Sequence, residues 1–224
     1  HLIGLGVGPG EIVAIHPQHS GALVWALLLT LKTGAGFVIL DRASPAARLT
    51  DYVMAARPRV LSRLAESGEL PAALRARVSE LGGVVCDLPA FARGDAAAAL
   101  HNQPVVAPGV TIGADDTAYI AFTSGTTGDP KGIVLTHGNV LASVGPIERG
   151  AKPYMRYERI VHPLRILHTL PLSHVFGQTM GLWVPPILTA ELHFEERLVA
   201  PRLIETIRRE RISVLAAVPR VLAL

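Results

Sequence analysis

The residues that decide the fold class run from Ile12 to Leu40, IVAIHPQHSGALVWALLLTLKTGAGFVIL. Ile12 to Ile15 is an apolar run of strand length, and from about Ser20 to Lys32 the chain is long and apolar enough for a buried helix. Gly34 and Gly36 are stop signals, and Phe37 to Leu40 again has strand length and composition. The unit is therefore strand, helix, strand. Because Gly21 to Leu31 is apolar on all sides, the helix is predicted to lie inside a layer flanking a sheet. Lys32 ends the run well short of the roughly 18 apolar residues that a membrane span needs.

Outward from this unit the alternation continues. Ser44 followed by Pro45 reads as a helix cap and first turn, after which Leu49, Tyr52, Val53 and Ala56 share one helical face before Pro58. Pro71 opens a helix to about Leu81, Gly82 and Gly83 end it, and Val84 to Cys86 reads as a buried strand. Such alternation predicts an α/β fold with a mostly parallel sheet flanked by helices. Between Pro89 and Asp116 no periodicity survives, which predicts a surface connection. Beyond it come a strand at Ala118 to Phe122, a Gly/Thr-rich loop, a strand at Ile133 to Leu135 and a helix capped by Thr136. Pro201 starts an amphipathic helix with Leu203, Ile204 and Ile207 inward, Ile212 to Ala217 reads as a buried strand, and Pro219 opens a further helix.

Composition narrows the functional classes. With 50% hydrophobic and 17% charged residues in 224, the chain is globular, as one domain or two small ones. Its one cysteine, Cys86, cannot form an internal disulfide and reads as an inert buried thiol, and no secretory leader is visible, which points to a cytoplasmic protein. Without a membrane span, peripheral contact is the membrane association left open, and oligomeric state is not readable. Lys+Arg number 21 against 18 Asp+Glu, a surplus of +3 that is too small to indicate nucleic acid. The stripe of Arg149, Lys152, Arg156, Arg159 and Arg165, interleaved with Tyr154 and Tyr157, is diluted by Glu148 and Glu158 and reads as a solvated surface.

The chemistry lies in Thr123-Ser124-Gly125-Thr126-Thr127-Gly128-Asp129-Pro130-Lys131-Gly132, directly after a predicted strand. Gly125, Gly128 and Gly132 let backbone amides approach a polyphosphate, while Ser124, Thr126 and Thr127 offer hydroxyls to phosphate oxygens or a magnesium ion. Lys131 adds a point charge, and Pro130 stiffens the exit. The Walker pattern fails because Lys131 lies between a proline and a glycine and leads into a strand. The dinucleotide fingerprint fails because Pro9 takes the place of its third glycine.

From Tyr119 to Asn139, YIAFTSGTTGDPKGIVLTHGN closely resembles the signature loop of the adenylate-forming ligases, a family that includes acyl-CoA synthetases, luciferases and peptide-synthetase adenylation domains. GVGPGEIVAI at Gly6 to Ile15, GAGFVILD at Gly34 to Asp41 and LPLSHVFGQT at Leu170 to Thr179 agree in order, so the resemblance covers nearly the whole chain. It implies ATP-dependent activation of a carboxylic acid: the carboxylate attacks the α-phosphate, pyrophosphate leaves, and the acyl adenylate is captured by a thiol, usually coenzyme A. Such a step needs positioning and charge neutralisation rather than a protein nucleophile. By resemblance, Thr126 reaches Mg2+, while Thr123, Ser124, Gly125, Thr127, Gly128 and Lys131 hold ATP. Thr126, Lys131 and His174 are the catalytic candidates.

LPLSHVFGQT resembles the family segment bordering the acyl pocket, which makes His174 a gate or orienting residue and Phe176 and Gly177 substrate-pocket lining. Amino-acid-activating relatives place an aspartate here as counter-charge to an ammonium. No acidic residue lies between Arg159 and Glu191, and Val175, Phe176, Met180, Leu182 and Trp183 suit an apolar acyl chain. The wording is most similar to long-chain fatty acyl-CoA synthetases, with an aryl or other carboxylic acid as the alternative substrate.

The family's later Tyr-Gly-x-Thr-Glu run, ribose aspartate and C-terminal lysine domain have no counterpart here. The expectation is a ligase portion shortened at both ends and inactive alone, with residues 1–110 a first α/β subdomain and 111–224 the phosphate-loop hairpin and the start of a second. A non-catalytic ATP-binding remnant and a purely structural fragment stay open beside it.

Overall fold

In the computed structural model the described residues are 1–88, 102, 106–124, 130–153, 155, 163–195, 198–219 and 221. β1 (Ile12–His16) forms with β2 (Gly36–Ile39) on one side and β3 (Val60–Leu64) on the other, both parallel to it. β4 (Val84–Leu88) pairs in parallel with β3, β5 (Thr117–Ser124) pairs in parallel with β2, and β6 (Pro130–Thr136) runs antiparallel on β5. The sheet order is β4-β3-β1-β2-β5-β6. The chain therefore winds from β1 to β2, then returns past β1 to β3, and its winding direction reverses between β1 and β3.

Right-handed crossovers in opposite directions put α1 (Gly21–Lys32) on one face of this sheet and α2 (Ala46–Ala56) and α3 (Ala72–Glu80) on the other. Alternation along the strands serves both layers. Ala14, Val38 and Leu61 face α2 and α3, where Leu49, Val53, Leu74 and Val78 close the core. The predicted face Leu49, Tyr52, Val53 and Ala56 is the buried one.

Several local expectations are corrected. Trp25 and Leu28 of α1 are exposed while Leu23, Ala26, Leu27 and Leu31 are buried, so that helix turns one face out. Gly36 opens β2 instead of ending α1, because a Cβ there would lie 2.8 Å from Thr117 Cγ2 on β5. Ser44 is not the cap of α2. The Asp41 side chain accepts from the Ala43 amide at 2.9 Å, its carbonyl accepts from Ser44, and this turn delivers Pro45 to the cap position. β3 is a strand that apolar patterning misses, since Ser62 and Arg63 interrupt it; Arg63 pairs with Asp87 of β4 at 2.7 Å. Thr136 is the predicted cap of α4 (His137–Ala151): its Oγ1 accepts from the Asn139 amide at 3.2 Å, and Asn139 Oδ1 accepts from the Thr136 amide at 3.0 Å.

Residues 1–18 and 22–140 form one compact unit, and 19–21 with 141–224 form another. The hairpin expected to open the second subdomain pairs with β2 and belongs to the first unit. The second unit holds a parallel sheet of order β8-β7-β9, from β7 (Arg165–His168), β8 (Glu191–Phe194) and β9 (Val214–Ala216). β7 and β8 are four residues each, and each opens on a charged residue, Arg165 or Glu191, and carries a histidine, which hides them from periodicity. Before β8 come α5 (Val175–Gln178), a π-helical turn (Thr179–Trp183) and α6 (Val184–Ile187). α7 (Ala200–Arg209) buries Leu203, but Ile204 is 48% exposed and Thr206 takes the inward place. The expected connection 89–116 falls mainly, and Tyr154, Arg156, Tyr157 and Arg159 wholly, outside the described residues, as do Leu222 and Leu224.

Candidate active site

The phosphate motif is carried by the β5–β6 hairpin. Thr123 lies opposite Lys131 and Ser124 opposite Pro130, so both ends of the motif are held in paired strands at the carboxyl edge of the parallel sheet. Gly125, Thr126, Thr127, Gly128 and Asp129 lie outside the described residues. Lys131 is exposed. Gly132 is not a loop glycine: it lies in β6 opposite Phe122, and a Cβ there would lie 3.0 Å from the Phe122 ring. Its absent side chain makes room for that ring, which stacks on Tyr52 with centroids 4.1 Å apart. Phe37 of β2 stacks on Tyr119 of β5 at 5.4 Å, which ties the hairpin to the sheet centre.

In the second unit, His174 precedes α5, and its amide donates to the Pro171 carbonyl at 3.1 Å. His174 is exposed, so it is not a core histidine. Val175 and Phe176 beside it are exposed as well, Phe176 by 58%. Gly177 is buried, and a Cβ there would collide with the Pro171 carbonyl oxygen, so the turn Leu170 to His174 closes only on a glycine.

A histidine that the motif reading passed over supports this segment. His168, fully buried at the end of β7, donates Nε2–H to the Gly177 carbonyl at 2.9 Å. The His19 Nε2 lies 3.3 Å from both the His168 carbonyl oxygen and its Nδ1, the rings are stacked, and Phe194 meets both rings edge-on. Burial lowers the His168 pKa to about 4 against the favourable Gly177 bond, and the ring is neutral at pH 7. Gly181 of the π-helical turn completes the fit, since a Cβ there would come 2.6 Å from His168 Nε2. A sequence signal existed in the position of His168 directly after the apolar pair Ile166 and Leu167, six residues before His174. Among the described residues no group of three or more His, Cys, Asp or Glu side chains could hold a metal ion. Cys86 is buried, and burial first and Asp87 second raise its thiol pKa, as expected of an inert thiol. No helix among the described residues is long and apolar enough to cross a membrane.

The profile of the AMP-binding enzyme family matches residues 1–224. The chain is 35% identical over 153 residues to a probable non-canonical nonribosomal peptide synthetase, CymA, of Salinispora arenicola, covering 67% of this chain and 2% of that protein. It is 31% identical over 231 residues to an L-proline–[L-prolyl-carrier protein] ligase of Pseudomonas fluorescens, covering 99% of this chain and 43% of the ligase. The crystal structure of ATP-bound MatB from Rhodopseudomonas palustris superposes with a TM-score of 0.77 at 26% identity, over 98% of this chain and 41% of MatB. The chain thus spans less than half the length of each of these relatives. Its mixed α/β architecture, with a mostly parallel sheet flanked by helices, is that of the N-terminal domain of adenylate-forming ligases. On the family profile, the hairpin that carries the phosphate motif and the fold around it, the chain belongs to the AMP-binding enzyme family.

Proposed function

We propose that the complete protein containing this chain activates a carboxylic acid with ATP, forming an acyl adenylate and pyrophosphate, and transfers the acyl group to coenzyme A. The observation that carries the reading is the phosphate motif on the β5–β6 hairpin, with its two ends clamped in register at the carboxyl edge of the sheet. In this reading a carboxylate oxygen bonds to the α-phosphorus as the bond to the bridging oxygen breaks, and the electron pair leaves with pyrophosphate. Lys131 neutralises the charge that develops on the phosphates, and the amides and hydroxyls of Thr123 to Gly128 orient them. Oxygen donors are what Mg2+ takes, and Thr126 is the residue that would hold it, supplying charge neutralisation at the phosphates. Co-substrates of this kind fit a cytoplasmic enzyme.

The acid is a medium- to long-chain fatty acid. Support comes from the stretch between Arg159 and Glu191, which offers no carboxylate to an ammonium, and from the apolar Val175 and Phe176 beside His174. A second reading, activation of an amino acid for a carrier-protein thiol, is favoured by the names of the peptide synthetase and the prolyl-carrier ligase. Pyrophosphate exchange separates the two. Exchange driven by fatty acids supports the first, exchange driven only by amino acids establishes the second, and none with any carboxylic acid overturns both.

A further inference from the structure

At the carboxyl ends of β1 and β3 lies an open cavity of about 300 Å3. It sits where the winding of the sheet reverses, the position at which open parallel sheets take their ligands. Two helix beginnings meet there. Ala46 and Leu49 from the first turn of α2 line it, and so does Pro71, from which α3 starts. Neither helix has a side-chain cap, so the orphan N–H groups of both first turns leave positive helix ends unneutralised by a side chain.

Two side chains add independent signals. His16, which lines the cavity at the end of β1, is only 3% exposed, and its Nδ1 has no hydrogen-bond partner. Its carbonyl accepts from Ser67 Oγ at 2.9 Å, which fixes the backbone beside the cavity. Burial first, then Arg42 and Arg63, lower the His16 pKa, evidence of a positive local field. An unpaired buried ring nitrogen costs free energy that a ligand atom would recover. Arg42 lines the mouth, is exposed, and makes no hydrogen bond or ion pair among the described residues. Arg63 is different, being engaged with Asp87 and the Gly68 carbonyl. Glu69 is the one carboxylate among the lining residues; it is exposed on the rim, and Arg42 with two helix ends outweighs it.

We propose that this cavity is a second anion-binding site, taking the phosphate or carboxylate group of a small molecule, separate from the Gly/Thr loop. β1 and β5 are two strands apart in the sheet, about 10 Å at ordinary strand spacing, so the two sites share one edge without coinciding. Arg42, the first-turn amides of α2 and the His16 Nδ1–H supply the donors. The site does not depend on which acid the enzyme activates.

The test is equilibrium dialysis of the complete protein against radiolabelled inorganic phosphate and, separately, radiolabelled acetate, with saturating ATP present to occupy the loop. Saturable binding of one probe per chain is expected, weakened at least tenfold in Arg42→Gln and retained in Lys131→Ala. Arg42 is exposed, so the variant is expected to fold, and circular dichroism checks it. Phosphate bound and acetate not identifies a phosphate ligand, and the reverse identifies a carboxylate. Equal binding by wild type and Arg42→Gln, or no saturable binding of either probe, overturns the site.

Discussion

Lys131 stands opposite Thr123 and points its charge into solvent, so its ammonium can be removed without touching the core. Lys131→Ala in the complete protein is expected to lower the rate of ATP–pyrophosphate exchange about a hundredfold, the usual cost of losing one preorganised charge at a reacting phosphate. Unfolding should be unchanged, and the two measurements together separate chemistry from stability. Gly177 gives the opposite pattern. A methyl group there cannot coexist with the Pro171 carbonyl oxygen, so Gly177→Ala is expected to destabilise the second unit by about 3 kcal/mol or more in urea unfolding, because the turn must open. His168 contributes a pH dependence. Its folded pKa lies near 4 and its ordinary value is 6.5, so between these the unfolded chain binds a proton that the folded one refuses. Stability is full above pH 6.5 and falls as pH drops toward 4, by about 3 kcal/mol in total. The difference between wild type and His168→Gln in urea titrations across that range should show this slope, since glutamine keeps an N–H for Gly177 and does not titrate. Neither His168 nor His16 carried a motif. Each is the last residue of its strand, directly after an apolar run, and only the strand pairing reveals that the strand ends inside the protein.

At the scale of elements, burial separates neighbours that hydropathy treats alike. In α7, Leu203 is 5% exposed and Ile204 lies out in solvent. Leu203→Ala is expected to cost about 3 kcal/mol and Ile204→Ala less than about 0.5 kcal/mol, both read from chemical denaturation. α1 and the strands Ile12–His16 and Gly36–Ile39 are legible because their apolar runs exceed the surrounding noise, and the other long helices because proline, glycine, a threonine cap or one-sided apolar spacing marks them. β3, β7 and β8 were not: a strand of four or five residues with Arg63, Arg165 or Glu191 in it has too few alternations to register. Tertiary pairing defines them instead, through Arg63 with Asp87 and Arg165 with Glu191, each joining adjacent strands. The same reason put Gly132 in the loop at the sequence level. A glycine that bends a backbone and a glycine that admits a cross-strand ring look identical until the partner Phe122 is known.

Across the molecule, the first unit should exchange its amide protons in an order set by sheet position. β1 has strands on both sides and buried residues Val13, Ala14 and Ile15, whereas β6 has one partner and leaves Ile133 and Val134 exposed. Hydrogen exchange by mass spectrometry is expected to show β1 protected longest and β6 released early. The family was legible in the sequence because the phosphate motif is a long local pattern, while the acid and the thiol depend on side chains gathered from distant segments. The antiparallel pairing of β5 with β6 also acts as a ruler. Side chains alternate faces along a strand, so lengthening or shortening the five residues that join Ser124 to Pro130, if it slipped β6 by one position, would send Lys131 to the far side of the sheet and bring a neighbour into its place. Substitutions inside that joint are graded in effect; a change in its length is a parity error, which no nearby lysine can correct.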